Sequence, residues 1–458
     1  MSPRIWGAAV AGTILAGCAQ FQTYQPAPLD AARLPAEVAA RRLEARPDGA
    51  AWTGSELLSL ALSRNAQVAA AAARYRTALA AARTARQPAA ATLTLTTEYS
   101  RDAGGSSPWL WGLGTDFPLD FGTRRQARLS TADLAALQAL YDYGEVVWSV
   151  RIALERARAE LVLADEAITL AEQAAALRRA RYDRLAQRVA AGEDARSVTL
   201  VAQAELALAD RRGADARARR ETALTALSRA LEMDPVAVRT LQLAQAPPAS
   251  DLAPLPAWRT EAALTRRDVL RAVADYDLAE IALRLEIARQ YPEVRLGPGY
   301  TWERGVTKLP FNLSLVLPPY DLNRSAIAQA EARRADAGRS LEAVQSVVLA
   351  GVDQAATALA NARAAQVLIE TRDLPLARQM TANIRRGVTG GAFDRVDQLQ
   401  AEAAEAETLF AAAEARRAVR LAEVDLQDAL RRAFDPAETA VLTAAVSPQA
   451  ASPNGAKP

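Results

Sequence analysis

The sequence predicts a mainly α protein with a small membrane β part, built twice from one unit: an alanine-rich helix, a strand hairpin and a long helical hairpin. Three observations carry this reading. Two halves of the 458-residue chain follow the same order of segments, offset by about 200 residues. Each half holds a pair of short segments in which apolar and polar residues alternate strictly, the period of a strand with one apolar face. Each half then enters a helical pattern with apolar residues at 3-4-3-4 spacing, the seam of helices packed side by side.

Composition removes several functions. The formal net charge is +2, so no strong field points at nucleic acid. Half the residues are hydrophobic but only 5% are aromatic, and much of that apolar share is alanine, the best helix former. The chain has no histidine and one cysteine, which removes the commonest general base and metal ligand and leaves no zinc site or thiolate pair. With no glycine-rich phosphate loop either, nothing supports catalysis or a cofactor.

Residues 1–17 read as a lipoprotein signal peptide: Arg4, a brief apolar run from Ile5 to Ile14, then Leu15-Ala16-Gly17 before Cys18. Cys18 is the expected lipid attachment point, and Ala19 rather than aspartate after it is the usual pattern for the outer membrane. Residues 18–52 show scattered prolines and no firm period, so an extended segment is expected there.

The first repeat, 53–250, opens with a helix from Ser55 to Gln87, stopped by Pro88. Thr92 to Tyr99 and Trp109 to Phe117 alternate as strands around a turn at Arg101 to Pro108. Leu93, Leu95, Trp109, Trp111 and Leu113 fall on the apolar side. A helix then runs from about Arg124 to Ala190 with Leu161, Ala164, Ile168, Ala171 and Ala175 as its stripe. Gly192 interrupts it, and a helix returns from Ala195 to Met233.

The second repeat, 251–434, retraces this path. A helix from Glu261 to Gln290 ends before Pro292; strands follow at Glu293 to Glu303 and Lys308 to Leu317, with Leu296, Phe311, Leu313 and Leu315 on the apolar side. The long helix, about Ser325 to Arg386, carries Leu341, Val344, Val348 and Val352, and Pro375 should kink it. Gly387 to Gly391 reverse the chain, and Asp394 to Phe434 return. Residues 435–458 are expected to be a disordered tail.

Strands of this length suit a tilted membrane crossing. Four per chain cannot close a barrel, and lipid does not tolerate open edges, so chains must share one. Two copies would give about eight strands and a filled interior; three would give about twelve and a lumen. Thr, Gly, Ser, Glu and Arg on the second face suit a wet interior, and the object reads as a conduit.

The repeat order, with Ala61-Leu62-Ser63-Arg64-Asn65, Tyr291 to Tyr300, Leu317-Pro318, Ile327 to Arg333 and Arg386-Gly387 leading to Asp394, resembles the TolC-like outer-membrane efflux proteins, particularly their lipoprotein branch. The phrase Leu296-Gly297-Pro298-Gly299-Tyr300 leans towards the branch that serves heavy-metal pumps, and Asn65-Ala66 stands where the family usually has Asn-Pro.

The resemblance implies a homotrimer, a β-barrel continued by an α-helical barrel, acting as exit duct for an inner-membrane pump of the RND type through a periplasmic adaptor. It also implies an acidic ring at the periplasmic tip. Asp394 and Asp397 are the candidates, with Arg386 and Arg188 as partners and Ser197 and Thr199 as weaker ones. Helix capping by the two aspartates is the competing reading. A type I protein secretion duct and a lipid-anchored periplasmic adaptor are the rival functions, the adaptor disfavoured by two helical hairpins and two strand pairs.

Overall fold

The computed structural model describes residues 24–43, 50–88, 90–101, 107–118, 122–244, 254–303 and 305–447. Cys18, its signal peptide and the last residues of the tail lie outside these. The duplicated architecture is present as expected. α1 (Arg33–Ala40), α2 (Gly54–Arg64) and α3 (Ala66–Ala85) precede strands β1 (Thr92–Tyr99) and β2 (Trp109–Pro118). α4 (Thr123–Ala190) and α5 (Arg196–Leu231) form the first helical hairpin, followed by the short α6 (Pro235–Val238). The second repeat comprises α7 (Leu255–Thr265), α8 (Arg267–Ala288), β3 (Glu293–Glu303), β4 (Val306–Lys308), β5 (Phe311–Val316), α9 (Arg324–Leu368), α10 (Leu374–Thr389) and α11 (Arg395–Leu430). α12 (Pro436–Val446) closes the described chain.

Several expectations are corrected. Each opening helix is two helices. Asn65 breaks the first without proline, because its side chain accepts the Gln67 and Val68 amides and so starts a new helix. Between α7 and α8 the break falls at Arg266, which has extended backbone and no side-chain cap. The N-terminal segment holds α1, so it is not wholly extended. The expected disordered tail is helical over Pro436–Val446, started by Asp435 accepting from the Ala437 amide and held by Glu438, which is buried. The fourth strand is split at Leu309-Pro310: proline offers no amide, and its carbonyl accepts from Gly299 instead.

The buried seam of α4 is also shifted. Ala164, Ala167, Ala171, Ala174 and Arg178 are buried, with Leu161, Ile168 and Ala175 at its margin. In α9 the expected row holds, with Val348 and Val352 buried and Leu341 and Val344 packed on them. Pro375 does not simply kink its helix. It follows a π-helical turn, Ile369–Asp373, which widens the backbone ahead of the residue that cannot donate. A stretch within Arg324–Thr389 is long and apolar enough by composition to cross a membrane. It lies in the bundle, and its Asp353 is ion-paired to Arg259 at 2.6 Å.

At 1.5 Å per residue the 68 residues of α4 extend on the order of 100 Å. Each repeat has its own core where its helices meet. Leu57, Leu58, Val147, Leu154, Leu227 and Leu231 fill the first; Val269, Val352, Leu359 and Leu426 belong to the second. Small alanine faces elsewhere let α4 run close against both α5 and α11.

Candidate functional site: membrane sheet and periplasmic tip

The two strand pairs join into one antiparallel sheet. β1 pairs β2, β2 pairs β3, and β4 and β5 pair successive parts of β3 as halves of one broken fourth strand. The register stacks the apolar positions. Leu95 faces Leu113, which faces Tyr300; Phe117 faces Leu296, which faces Leu313. Residues directly opposite share a face, so these rows form one apolar surface, and all except the partly covered Leu296 are exposed.

The other face carries Thr94, Gly114 and Gly299 in one row and Thr96, Gly112 and Thr301 in the next. Among the described residues β1 and β5 are each paired on one side only. Those unpaired edges are what four strands per chain require of a shared barrel.

At the far end, Gly192 (φ 81°) and Gly391 (φ 78°) take left-handed backbone to turn the two helical hairpins. Arg188, in the last turn of α4, sits between the tips. Its Nη1 lies 2.6 Å from Asp394 Oδ2 of the second hairpin and its Nε 2.8 Å from Asp194 of its own. Asp394 is also the N-cap of α11: the Asp397 amide donates to it at 2.8 Å, and its own amide donates to Asp397 at 3.1 Å.

The two aspartates are therefore a capping box, and one of them additionally ties the hairpins together. Burial works against the Asp394 charge, but the Asp397 and Val396 amides and the Arg188 guanidinium outweigh it and hold its carboxyl below the usual value. Asp397 is exposed, so its carboxylate remains open to solvent.

Arg386 was expected to join these acids and does not. Among the described residues its side chain donates to Asn383 one turn back. Thr199 donates to the Arg196 carbonyl within its own helix, and among the described residues no hydrogen bond links it or Ser197 to the acids. Sequence reasoning missed Asp194, and it missed Arg178. Arg178, 7% exposed, reaches Glu205 on α5 and both Glu407 and Gln400 on α11, locking three helices above the tip. Its place in the alanine row was the available signal, since a charge on a buried seam needs partners.

Comparison with known proteins agrees with this geometry. The family model for the outer membrane efflux protein matches residues 57–232. No curated protein matches the chain by sequence. The fold is similar to the outer membrane protein VceC of Vibrio cholerae (TM-score 0.67, 18% identity, 83% of this chain and 97% of that one). It is similar to the MtrE outer membrane channel of Neisseria gonorrhoeae in its open state (0.65, 20%, 83% and 89%). The CmeC outer membrane channel of Campylobacter jejuni gives 0.64 at 13% identity, over 90% and 93%. The resemblance to TolC-like efflux proteins read from the repeat thus holds, and it is a resemblance to transport channels, not enzymes.

Proposed function

We propose that this chain, an outer-membrane efflux protein by its matched first repeat and its fold, is the exit duct of a tripartite efflux system. Three copies share one β-barrel in the outer membrane, and their helical hairpins form a periplasmic tube. An inner-membrane pump of the RND type delivers small solutes or metal cations through a periplasmic adaptor, and the duct conducts them passively. The observation that carries this reading is the sheet: one apolar exposed face, one small polar face and two unpaired edges, continued directly into helices on the order of 100 Å long. Crosslinking in native outer membranes tests it. A trimer is the expected product; a monomer or dimer as the largest species overturns the reading.

Lipid on Cys18 would fix the mature N-terminus to the outer membrane. Cys18→Ser is expected to abolish acylation, with barrel insertion retained because strands anchor independently of acyl chains. Mass spectrometry of the mature N-terminus decides it, and an unmodified chain starting before residue 18 overturns it.

The tip acts as the gate in this reading, with Arg188 and Asp394 as the tie and Asp397 as the exposed carboxylate of the entrance. Arg188→Ala should raise single-channel conductance and strengthen cation selectivity, because it cuts the tie and leaves both carboxylates. Asp394→Ala with Asp397→Ala should also raise conductance but weaken cation selectivity and relieve block by multivalent cations. Assembly should survive, since an exposed cap contributes only about 1 kcal/mol.

Acid should mimic cutting the tie. The folded tip holds the Asp394 carboxyl below its ordinary value, so the stabilisation is complete above that value and is lost as pH falls through the depressed one. Planar-bilayer recordings at low and high salt check all of this, because salt screens a charged entrance. Parent-like conductance and selectivity in both variants would leave capping as the aspartates' only role.

A further inference from the structure

We propose that a cavity between the two repeats, far in sequence from both hairpin tips, binds an organic anion with an apolar, aromatic-sized body. The proposal does not depend on the duct reading. The cavity measures about 1030 Å³ and is walled by α4, α7, the start of α8, the end of α11 and α12. Ligand pockets generally span about 300–1,000 Å³, so the space exceeds what a simple ion needs.

The wall also carries Asp435 besides the acids paired below, yet among the described residues one of its cations is left without an ion-pair partner. Seven arginines stand on the wall. Six have acids at ion-pair distance: Arg151 with Glu438, Arg158 with Glu155, Arg266 with Asp268, Arg420 with Glu423, Arg431 with Glu145 and Arg432 with Glu261. Among the described residues Arg267 has none. It lies across Gly144, where an added Cβ would clash with its Nε and Cδ, so the glycine makes the room this side chain occupies. Half-buried there, its guanidinium is pushed below the ordinary arginine value by burial, against the attraction of Glu145.

Deeper in the wall, Arg151 is 1% exposed, and its Nη1 is buried with no hydrogen-bond partner among the described residues. A cation and a donor left in this state call for an anionic acceptor. The same wall carries an aromatic patch: the Trp258 and Phe434 rings stand 5.8 Å apart, with the Arg432 guanidinium 4.8 Å from the Trp258 centroid. A carboxylate head at Arg267 and a flat apolar body against Trp258 would satisfy both features of this one cavity.

The test is titration of the full-length protein in neutral detergent with 2-naphthoate, followed by calorimetry and by tryptophan fluorescence, since Trp148 and Trp258 line the cavity. One saturable site per chain is expected. Arg267→Gln should weaken it about ten- to a hundredfold, the worth of a charge-assisted hydrogen bond, and Arg267→Lys should retain most of it. The neutral 2-naphthalenemethanol should bind correspondingly worse than the acid. A heat-stability check on each variant separates lost binding from lost folding. A chain ending at Ser447 examines whether the segment that follows it occupies the cavity. Binding that appears only in that truncated chain overturns the proposal for the intact protein. So do an absence of saturable binding, equal affinity for the neutral analogue, or unchanged affinity in Arg267→Gln.

Discussion

Replacing Glu438 by alanine is expected to destabilise the fold by about 3–5 kcal/mol, because it leaves a buried cation without its anion. Glu438 projects from α12 into the junction of the two repeats and is 2% exposed. Its Oε2 accepts from Arg151 Nη2 at 2.7 Å and Nε at 3.0 Å, and Arg151 also reaches Gln427 on α11. Glu155 and Arg158 lie beside this pair, 2.8 Å apart and equally buried. Burial and repulsion by Glu155 raise the Glu438 carboxyl, while Arg151 and Arg158 pull it back. Two cations and two anions thus form one buried cluster in the wall of the cavity, and removing one member strands another. Glu438→Gln keeps the shape and removes the charge, so comparing the two variants separates ionic loss from packing loss. Thermal dissociation and melting of the purified protein measure both. If Glu438→Ala melts like the parent, α12 is not docked as the structure has it.

Leu313→Arg is expected to cost about 2–4 kcal/mol of membrane insertion if the residue lies at mid-bilayer, and to abolish the heat-stable assembled species. Leu313 is opposite Leu296, which is opposite Phe117, in a row of the exposed apolar face, and 58% of its surface is open. Asn312→Arg, one residue earlier, is the matched control. Successive strand residues point to opposite faces, so this arginine falls on the polar face with Gly297 opposite. It should assemble normally and alter only conduction. Equal assembly of the two variants would mean that the apolar face does not meet lipid.

Much of this was legible in the residues alone. Period-two alternation in Thr92–Tyr99 and Glu293–Glu303 gave the strands and assigned each side chain to a face, because a strand's period is a purely local property. Apolar spacing gave the long helices and, in α9, the buried row. The repetition of the whole script gave the duplication. Local chemistry failed where two local signals competed. Asn65 was read inside a helix although its side chain caps a new one, and Pro310 was read inside a strand although it cannot donate to the ladder.

The composition and local periods of the chain determine an alanine-rich helical protein with two strand hairpins, whose four strands are too few to close a barrel on themselves. Only the tertiary structure decided which charges meet. Arg188 and Asp394 are 206 residues apart, and Arg151 and Glu438 are 287 apart. With 55 basic and 53 acidic residues, nothing local singles out Arg151 with Glu438, and position at the tips left Arg188 and Arg386 as equal candidates for Asp394. The same holds for α12, whose sequence looks like a tail and whose order depends on Glu438 finding Arg151. A periodic pattern repeats its information every few residues, but an ion pair across the fold exists only once the helices carrying it have packed, so its partners leave no trace in the sequence around them.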